Sequence, residues 1–216
     1  MIVVDLEMSG MDYEKCGIVQ IGAIDLDSKE EFLENCHLDE EDKIINEPNL
    51  EHTVLDTLGM TEEQLRDSNK QNQKEILEHF FEWCKKTNTK NFICFHPHAD
   101  IAFLEHKARK YNLKFPFLSY KAWDLHSIAQ MVYFQLNREF SFKDKDGQKQ
   151  SAMNLKATLK LAGIEDKRAE NHNALEDARL TAEAFFRLVY GKNLLEEYAN
   201  FPVPEYLTKG GAQKSN

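Results

Sequence analysis

Ile2-Val3-Val4 opens the chain as an apolar, β-branched run that continues through Asp5, Leu6 and Glu7, and Met8-Ser9-Gly10-Met11-Asp12 then supplies turn residues. This pattern predicts a strand ending in a loop. Two further apolar runs, 18–26 and 32–38, are joined by the polar Asp27-Ser28-Lys29-Glu30 and predict an antiparallel hairpin. Thr61 before Glu62-Glu63-Gln64-Leu65 reads as a capped helix start, and Ile76, Leu77, Phe80, Phe81 and Cys84 recur at helical spacing. Asn91 to Phe95 is a compact apolar strand followed by a helical pattern in Ile101, Leu104, Glu105 and Ala108. Ala122-Trp123-Asp124 ends a fifth strand before a helix over 125–135. Two more helices are outlined by Leu155, Leu159 and Ala162, and by Ala178, Ala182, Phe185, Phe186 and Val189. The stretch Phe142 to Lys149 reads as a charged loop and Lys209 to Asn216 as a frayed tail. A meander of three strands followed by alternating strands and helices implies an α/β fold, a mixed five-stranded sheet flanked by helices.

At 216 residues, with 42% hydrophobic and 30% charged residues, the chain suits one globular domain with a real core. The expected division is a main domain over 1–191 and a C-terminal extension over 192–216, partly disordered. No apolar run approaches the ~18 residues of a membrane span, and Asp5 interrupts the first apolar stretch, so no signal peptide, anchor or membrane partner is expected. Cys16, Cys36, Cys84 and Cys94 lack close paired spacing, which argues against a disulfide framework or zinc knuckle and fits a reducing cytoplasm. A net charge of −10 denies a long basic groove. It leaves room for a pocket that grips one strand end through divalent metals.

Asp5 and Glu7 stand two apart on the first strand, so both carboxylates face one side of the sheet near the strand's carboxyl end. Such a pair calls for a cation, and oxygen-only ligation favours magnesium or manganese. In His172-Asn173-Ala174-Leu175-Glu176-Asp177, Asn173 caps a helix with Glu176 three positions on. The cap keeps His172 in the preceding loop, from which it can share a pocket with Asp177. Asp100 follows the 91–95 strand and begins the next helix, where an acidic residue also serves as an ordinary N-terminal cap.

Taken in order, Asp5, Glu7, Asp100, His172 and Asp177 resemble the DEDDh family of 3′-to-5′ exonucleases, which includes RNase T, oligoribonuclease and the proofreading subunit of bacterial DNA polymerase III. The resemblance spans roughly residues 1–191 on its motifs. Val3-Val4-Asp5-Leu6-Glu7-Met8-Ser9-Gly10-Met11 is similar to the family's first motif, with Ser9 and Met11 as mild replacements, and Gly59-Met60-Thr61 resembles a family turn before a helix. The second motif departs: Phe95-His96-Pro97-His98-Ala99 precedes Asp100, with His96 where the family commonly has Asn.

The resemblance implies a ribonuclease-H-like fold and two magnesium or manganese ions. Asp5, Glu7 and Asp177 would hold one ion, Asp5 would bridge to the second, and Asp100 would support the second through water. His172 would be the general base, an imidazole being suited to accept a proton near neutral pH. Glu7, Met8, Ser9, Gly10 and Met11 would meet the terminal nucleotide, and the products would be 5′-mononucleotides. The implied partner is the 3′ end of single-stranded DNA or RNA, with a homodimer or a polymerase or RNA-processing partner also in view. Two other classes compete. One is a non-catalytic nucleic-acid or protein binding module on the same fold. The other is a zinc-dependent hydrolase built on His96-Pro97-His98-Ala99-Asp100, where Ile101 replaces the usual following His. The basic stretches Lys85-Lys86, Lys107 to Lys110 and Lys143 to Lys160 are solvated faces or weak guides for a short strand.

Overall fold

The first strand, β1 (Ile2–Met8), pairs antiparallel with β2 (Ile18–Asp25) from Ile2↔Asp25 to Glu7↔Gln20. On its other side it runs parallel to β4 (Phe92–Cys94) through Ile2↔Phe92 and Val3↔Ile93. With β3 (Glu31–Asn35) beyond β2 and β5 (Trp123–Asp124) outermost, the order is β3-β2-β1-β4-β5, the mixed five-stranded sheet that the chain pattern implies. Strand β3 is shorter than its apolar run: past Asn35 the chain leaves the sheet, and the Leu38 N–H bonds the Leu65 carbonyl instead, 2.8 Å away. The computed structural model describes residues 1–46, 53–87, 90–117, 119–168 and 171–208, so the tail reading at 209–216 lies outside the described residues.

Alternation along β1 divides its side chains between two faces. Ile2, Val4 and Leu6 join Ile21 and Ala23 of β2 in a core completed by α3 (Gln73–Lys85) and α4 (Pro97–Lys110). Phe80 of α3 and Phe103 of α4 are fully buried there; each such ring stabilises the fold by about 1.5–3 kcal/mol. Val3, Asp5 and Glu7 take the opposite face with Gly22 and Gln20 as cross-strand partners. The first turn of α7 (Ala174–Tyr190) lies on that face, so close that a Cβ on Gly22 would sit 2.1 Å from the Ala174 carbonyl carbon. Gln20 Oε1 accepts the Ala174 N–H at 2.6 Å, fixing the start of α7 over β2.

The chain forms two compact units, Met1–Trp123 with Arg168–Arg179, and Asp124–Lys167 with Leu180–Asn216. The first also holds two short helices. Each opens on a capping box, Thr53 with Asp56 for α1 (Val54–Leu58) and Thr61 with Gln64 for α2 (Glu62–Leu65).

The second unit holds α5 (Leu125–Asn137), α6 (Leu155–Leu161), the later part of α7 and α8 (Glu205–Thr208). It also corrects the charged-loop reading: Phe142 to Ser151 is a hairpin of β6 (Phe142–Lys145) and β7 (Gln148–Ser151). Asp146 and Gly147 both have positive φ, 54° and 75°, as a two-residue hairpin turn requires. Neither strand buries a face, so no hydrophobic alternation betrays it. Gln130 of α5 fastens its base, accepting the Ser141 N–H at 3.0 Å and donating to Ser151 Oγ at 2.7 Å.

In the same unit the buried Glu183–Arg187 pair holds part of the segment expected as an extension. Glu183 Oε2 accepts the Leu194 and Leu195 N–H groups at 3.0 and 2.9 Å, and Arg187 Nη2 donates to the Tyr198 carbonyl at 2.9 Å. The four cysteines are buried thiols, none of them in a disulfide. Among the described residues no helix is long and apolar enough to cross a membrane.

Candidate active site

Asp5 and Glu7 stand on one face of β1, as the period of two requires, and a bulge between Glu7 and Met8 ends the regular pairing there. Asp100 does not cap its helix, contrary to the ordinary reading of that position. The helix starts three residues earlier, with Pro97 in the first turn and His96 at the N-cap, which places Asp100 fourth in α4 and buried. Proline suits that position because its missing N–H would have no helical partner. Asp177 occupies the equivalent fourth place in α7 and is also buried. Asn173 caps this helix as its sequence suggests, Oδ1 accepting the N–H groups of Leu175 and Glu176 at 3.1 Å each. His172 stays outside the helix, its N–H on the Thr57 carbonyl at 2.8 Å and its Nδ1 3.6 Å from Asp177 Oδ2.

Three elements distant in sequence thus bring these acids within each other's field. Burial, and then the charges of Asp100, Asp177 and Glu7, push the Asp5 carboxyl well above its usual range. Burial followed by Asp177 and Asp100 raises Glu7 to about 8. Burial raises Asp100 to about 7, against hydrogen bonds from the Cys94 side chain and the Leu6 backbone. Arg168, which the sequence reading did not single out, opposes this repulsion. Its Nη1 lies 2.8 Å from Asp177 Oδ1, and its charge lowers both Asp5 and Glu7. A lone arginine in a polar loop carries no local signal of such a role.

The donor set fits a divalent cation. Glu7 Oε1 is buried without a hydrogen-bond partner, the kind of orphan oxygen that a cation satisfies. Glu7, His172 and Asp177 each offer a ligand atom, all within 4.8 Å of one another. Asp5 and Asp100 add further carboxylate oxygens, the chemistry of magnesium or manganese.

The loop after β1 divides between structure and surface. Ser9 is wholly buried, donating to the Lys43 carbonyl at 2.7 Å and accepting the Gly17 N–H at 2.9 Å, so its hydroxyl is turned away from solvent. Gly10 has a φ of +149°, and a Cβ there would meet the Ile45 carbonyl at 2.7 Å. Met8 is half-buried against the core, and Met11 is 53% exposed. Gly59, at φ +61°, lets α1 end against Asn171, beside His172. A cavity of about 890 Å³ opens here, lined by Thr57, Gly59, Met60, Glu63, Asn171 and His172.

The His-x-His-x-Asp order does not make a zinc triad. Within a helix, residues two apart diverge by about 200°, and His98 is exposed where Asp100 is buried. Lys107 is corrected too: it is buried and paired with Asp42, not a surface guide for a strand.

The exonuclease family named for RNase T matches residues 2–185. The chain is 26% identical over 202 residues to the DNA polymerase III subunit epsilon of Haemophilus influenzae, covering 91% of this chain and 70% of that protein. Among solved structures it is similar to E. coli Exonuclease I in complex with a dT13 oligonucleotide, with a TM-score of 0.64 and 17% identity over 86% of this chain. The chain spans only 40% of Exonuclease I. It is also similar to the nuclease domain of 3′hExo, a DEDDh family member bound to rAMP, with a TM-score of 0.57 and 15% identity, covering 90% of this chain and 93% of that domain. With that match over most of its length, the chain belongs to the RNase T exonuclease family.

Proposed function

We propose that the chain is a 3′-to-5′ exonuclease that hydrolyses phosphodiester bonds at the 3′ end of single-stranded DNA or RNA and releases 5′-mononucleotides. One observation carries the reading: half-buried Asp5 and buried Glu7, Asp100 and Asp177 converge with Arg168 set against them, leave Glu7 Oε1 unpartnered, and have His172 at their edge. A binding module needs no such cluster of mutually repelling acids, whereas a cation-dependent hydrolase does.

In this reading Asp5, Glu7 and Asp177 hold one divalent ion, and Asp5 and Asp100 serve a second. Such ions supply positive charge for the phosphate and the leaving 3′ oxygen and make water acidic enough to ionise near neutral pH. His172 takes the proton of the attacking water. Its side chain is 46% exposed, so the proton can pass on to solvent. Gly10 lets the loop pack closely against Ile45 and Cys16, and the exposed Met11 gives the terminal base an apolar wedge. The catalytic domain runs over 1–191, in line with the family match to residue 185, with 192–216 as its extension.

Exonuclease I binds a dT13 oligonucleotide and the 3′hExo nuclease domain binds rAMP, so both sugars belong in the test. DNA and RNA strands of several lengths, labelled at the 5′ end, are incubated with magnesium, manganese or chelator. The expected result is metal-dependent shortening from the 3′ end with 5′-mononucleotides released. Cleavage that persists in chelator, or no cleavage of any strand, refutes the proposal.

A further inference from the structure

Behind the loop that follows β1 lies a second buried cluster that the proposed chemistry leaves unused. Lys107 Nζ sits 2.7 Å from Asp42 Oδ1, and the two side chains are only 2% and 3% exposed. Gln73 completes the group: Nε2 donates to Asp42 Oδ2 at 2.5 Å, while Oε1 accepts the Ile18 N–H at 2.8 Å. Gly17 lies so near that a Cβ would stand 2.3 Å from Asp42 Oδ2. A buried ion pair of this kind adds little net stability, because desolvation offsets most of the attraction, but it fixes geometry.

What it fixes is the strip of chain around Asp42, and that strip grips the loop. Lys43 donates its N–H to the Lys15 carbonyl at 2.8 Å and accepts from Ser9 Oγ at 2.7 Å. Two residues on, the Ile45 N–H bonds the Ser9 carbonyl at 2.8 Å, and Gly10 lies against Ile45. Arg66 holds the strip from its outer side, Nη1 on the Asp39 carbonyl at 3.2 Å and Nη2 on the Asp42 carbonyl at 3.0 Å. Lys107 and Asp100 are seven residues apart on α4, two turns and one face, and both are buried. The helix that carries Asp100 into the acidic site therefore also carries the cation that locks the strip.

From this we infer that Asp42 and Lys107 are positioning residues for substrate, setting the height of the Met8 to Met11 loop relative to the carboxylates without touching either nucleotide or ion. The inference rests on the reading of that loop as the contact for the 3′-terminal nucleotide. Loss of the lock should weaken substrate binding and spare the chemical step, since the acids and His172 keep their own supports.

The test compares Lys107→Met, Asp42→Asn, the double variant and Arg66→Ala with wild type, by steady-state kinetics on a short oligonucleotide and calorimetric titration of Mn2+. Each buried single variant should raise KM about tenfold, with kcat within about twofold and Mn2+ affinity unchanged. The double variant, which buries no unpaired charge, should recover stability but, lacking the lock, should keep the raised KM. Arg66→Ala, on the solvent side of the strip, should raise KM about threefold and keeps the test open if a buried single variant fails to fold. A lower Tm with unchanged KM and kcat would make the pair merely structural and overturn the inference. A matching fall in Mn2+ affinity would show that it acts through Asp100 and would overturn it too. An inactive wild-type enzyme would instead sink the exonuclease reading itself.

Discussion

Two sets of carboxylates in the first unit receive opposite treatment. Asp42 is given a lysine, a glutamine and a glycine shaped around it, and Asp39 beside it is paired with Lys110 and Tyr111. Asp5, Glu7, Asp100 and Asp177 are given one another, with Arg168 set against them. Each set joins buried acids to a half-buried one, Asp42 with Asp39 and Glu7, Asp100 and Asp177 with Asp5, so solvent exposure does not explain the difference. A fold can satisfy its buried acids internally, as it does around Asp42. Where it leaves them repelling, the missing charge is expected from outside, and the local instability is a consequence of function.

The contrast can be broken most forcefully by removing an acid from the repelling set. Asp5→Ala or Asp177→Ala should abolish magnesium-dependent nucleotide release in single-turnover assays, and wild-type rates in either would contradict the assignment. His172→Ala should act more mildly, lowering the rate by ~10²–10⁴ with Mn2+ affinity retained, because the imidazole moves a proton rather than holding the ion.

Stability separates the two sets by sign. Lys107→Met strands the Asp42 charge and should cost about 3–5 kcal/mol in chemical denaturation. Glu7→Gln removes one of several repelling charges and should stabilise the protein in chelator by about 1–2 kcal/mol. Destabilisation by Glu7→Gln would mean that its carboxylate is an internal support. Saturating divalent ion should cancel that difference by stabilising wild type, by about 2.7 kcal/mol at a hundredfold excess over Kd.

The smallest effect concerns pH. Burial alone would raise Asp39, but hydrogen bonds from Lys110 and Tyr111 outweigh it and hold the carboxyl below its usual range. Its folded pKa is therefore depressed, so its contribution is present above the ordinary value of ~3.9 and lost as pH falls through the lower folded value. Asp39→Asn should flatten the acid limb of the stability curve in that window and leave the neutral plateau's slope unchanged. An acid limb of unchanged steepness would refute the pairing.

How much of this was readable along the chain follows from where each signal resides. The shared face of Asp5 and Glu7 and the helix start before Asp177 were legible because strand alternation and the Asn173 cap are local patterns. The sheet was legible because its strands are apolar runs bounded by turns. The β6–β7 hairpin was hidden because it buries neither face, leaving only Asp146-Gly147 as a turn cue inside a charged stretch. Lys107 was read as part of a basic surface because its partner lies 65 residues away, and only tertiary packing turns that lysine inward. Arg168 escaped for the same reason, its meaning arising only where it meets Asp177.

Calorimetric titration of Mn2+ into wild type, Asp5→Asn and Asp177→Asn tests the central claim most directly. The account predicts saturable binding to wild type that both substitutions eliminate. Undiminished binding in the two variants, or none in the folded wild-type protein, would contradict it.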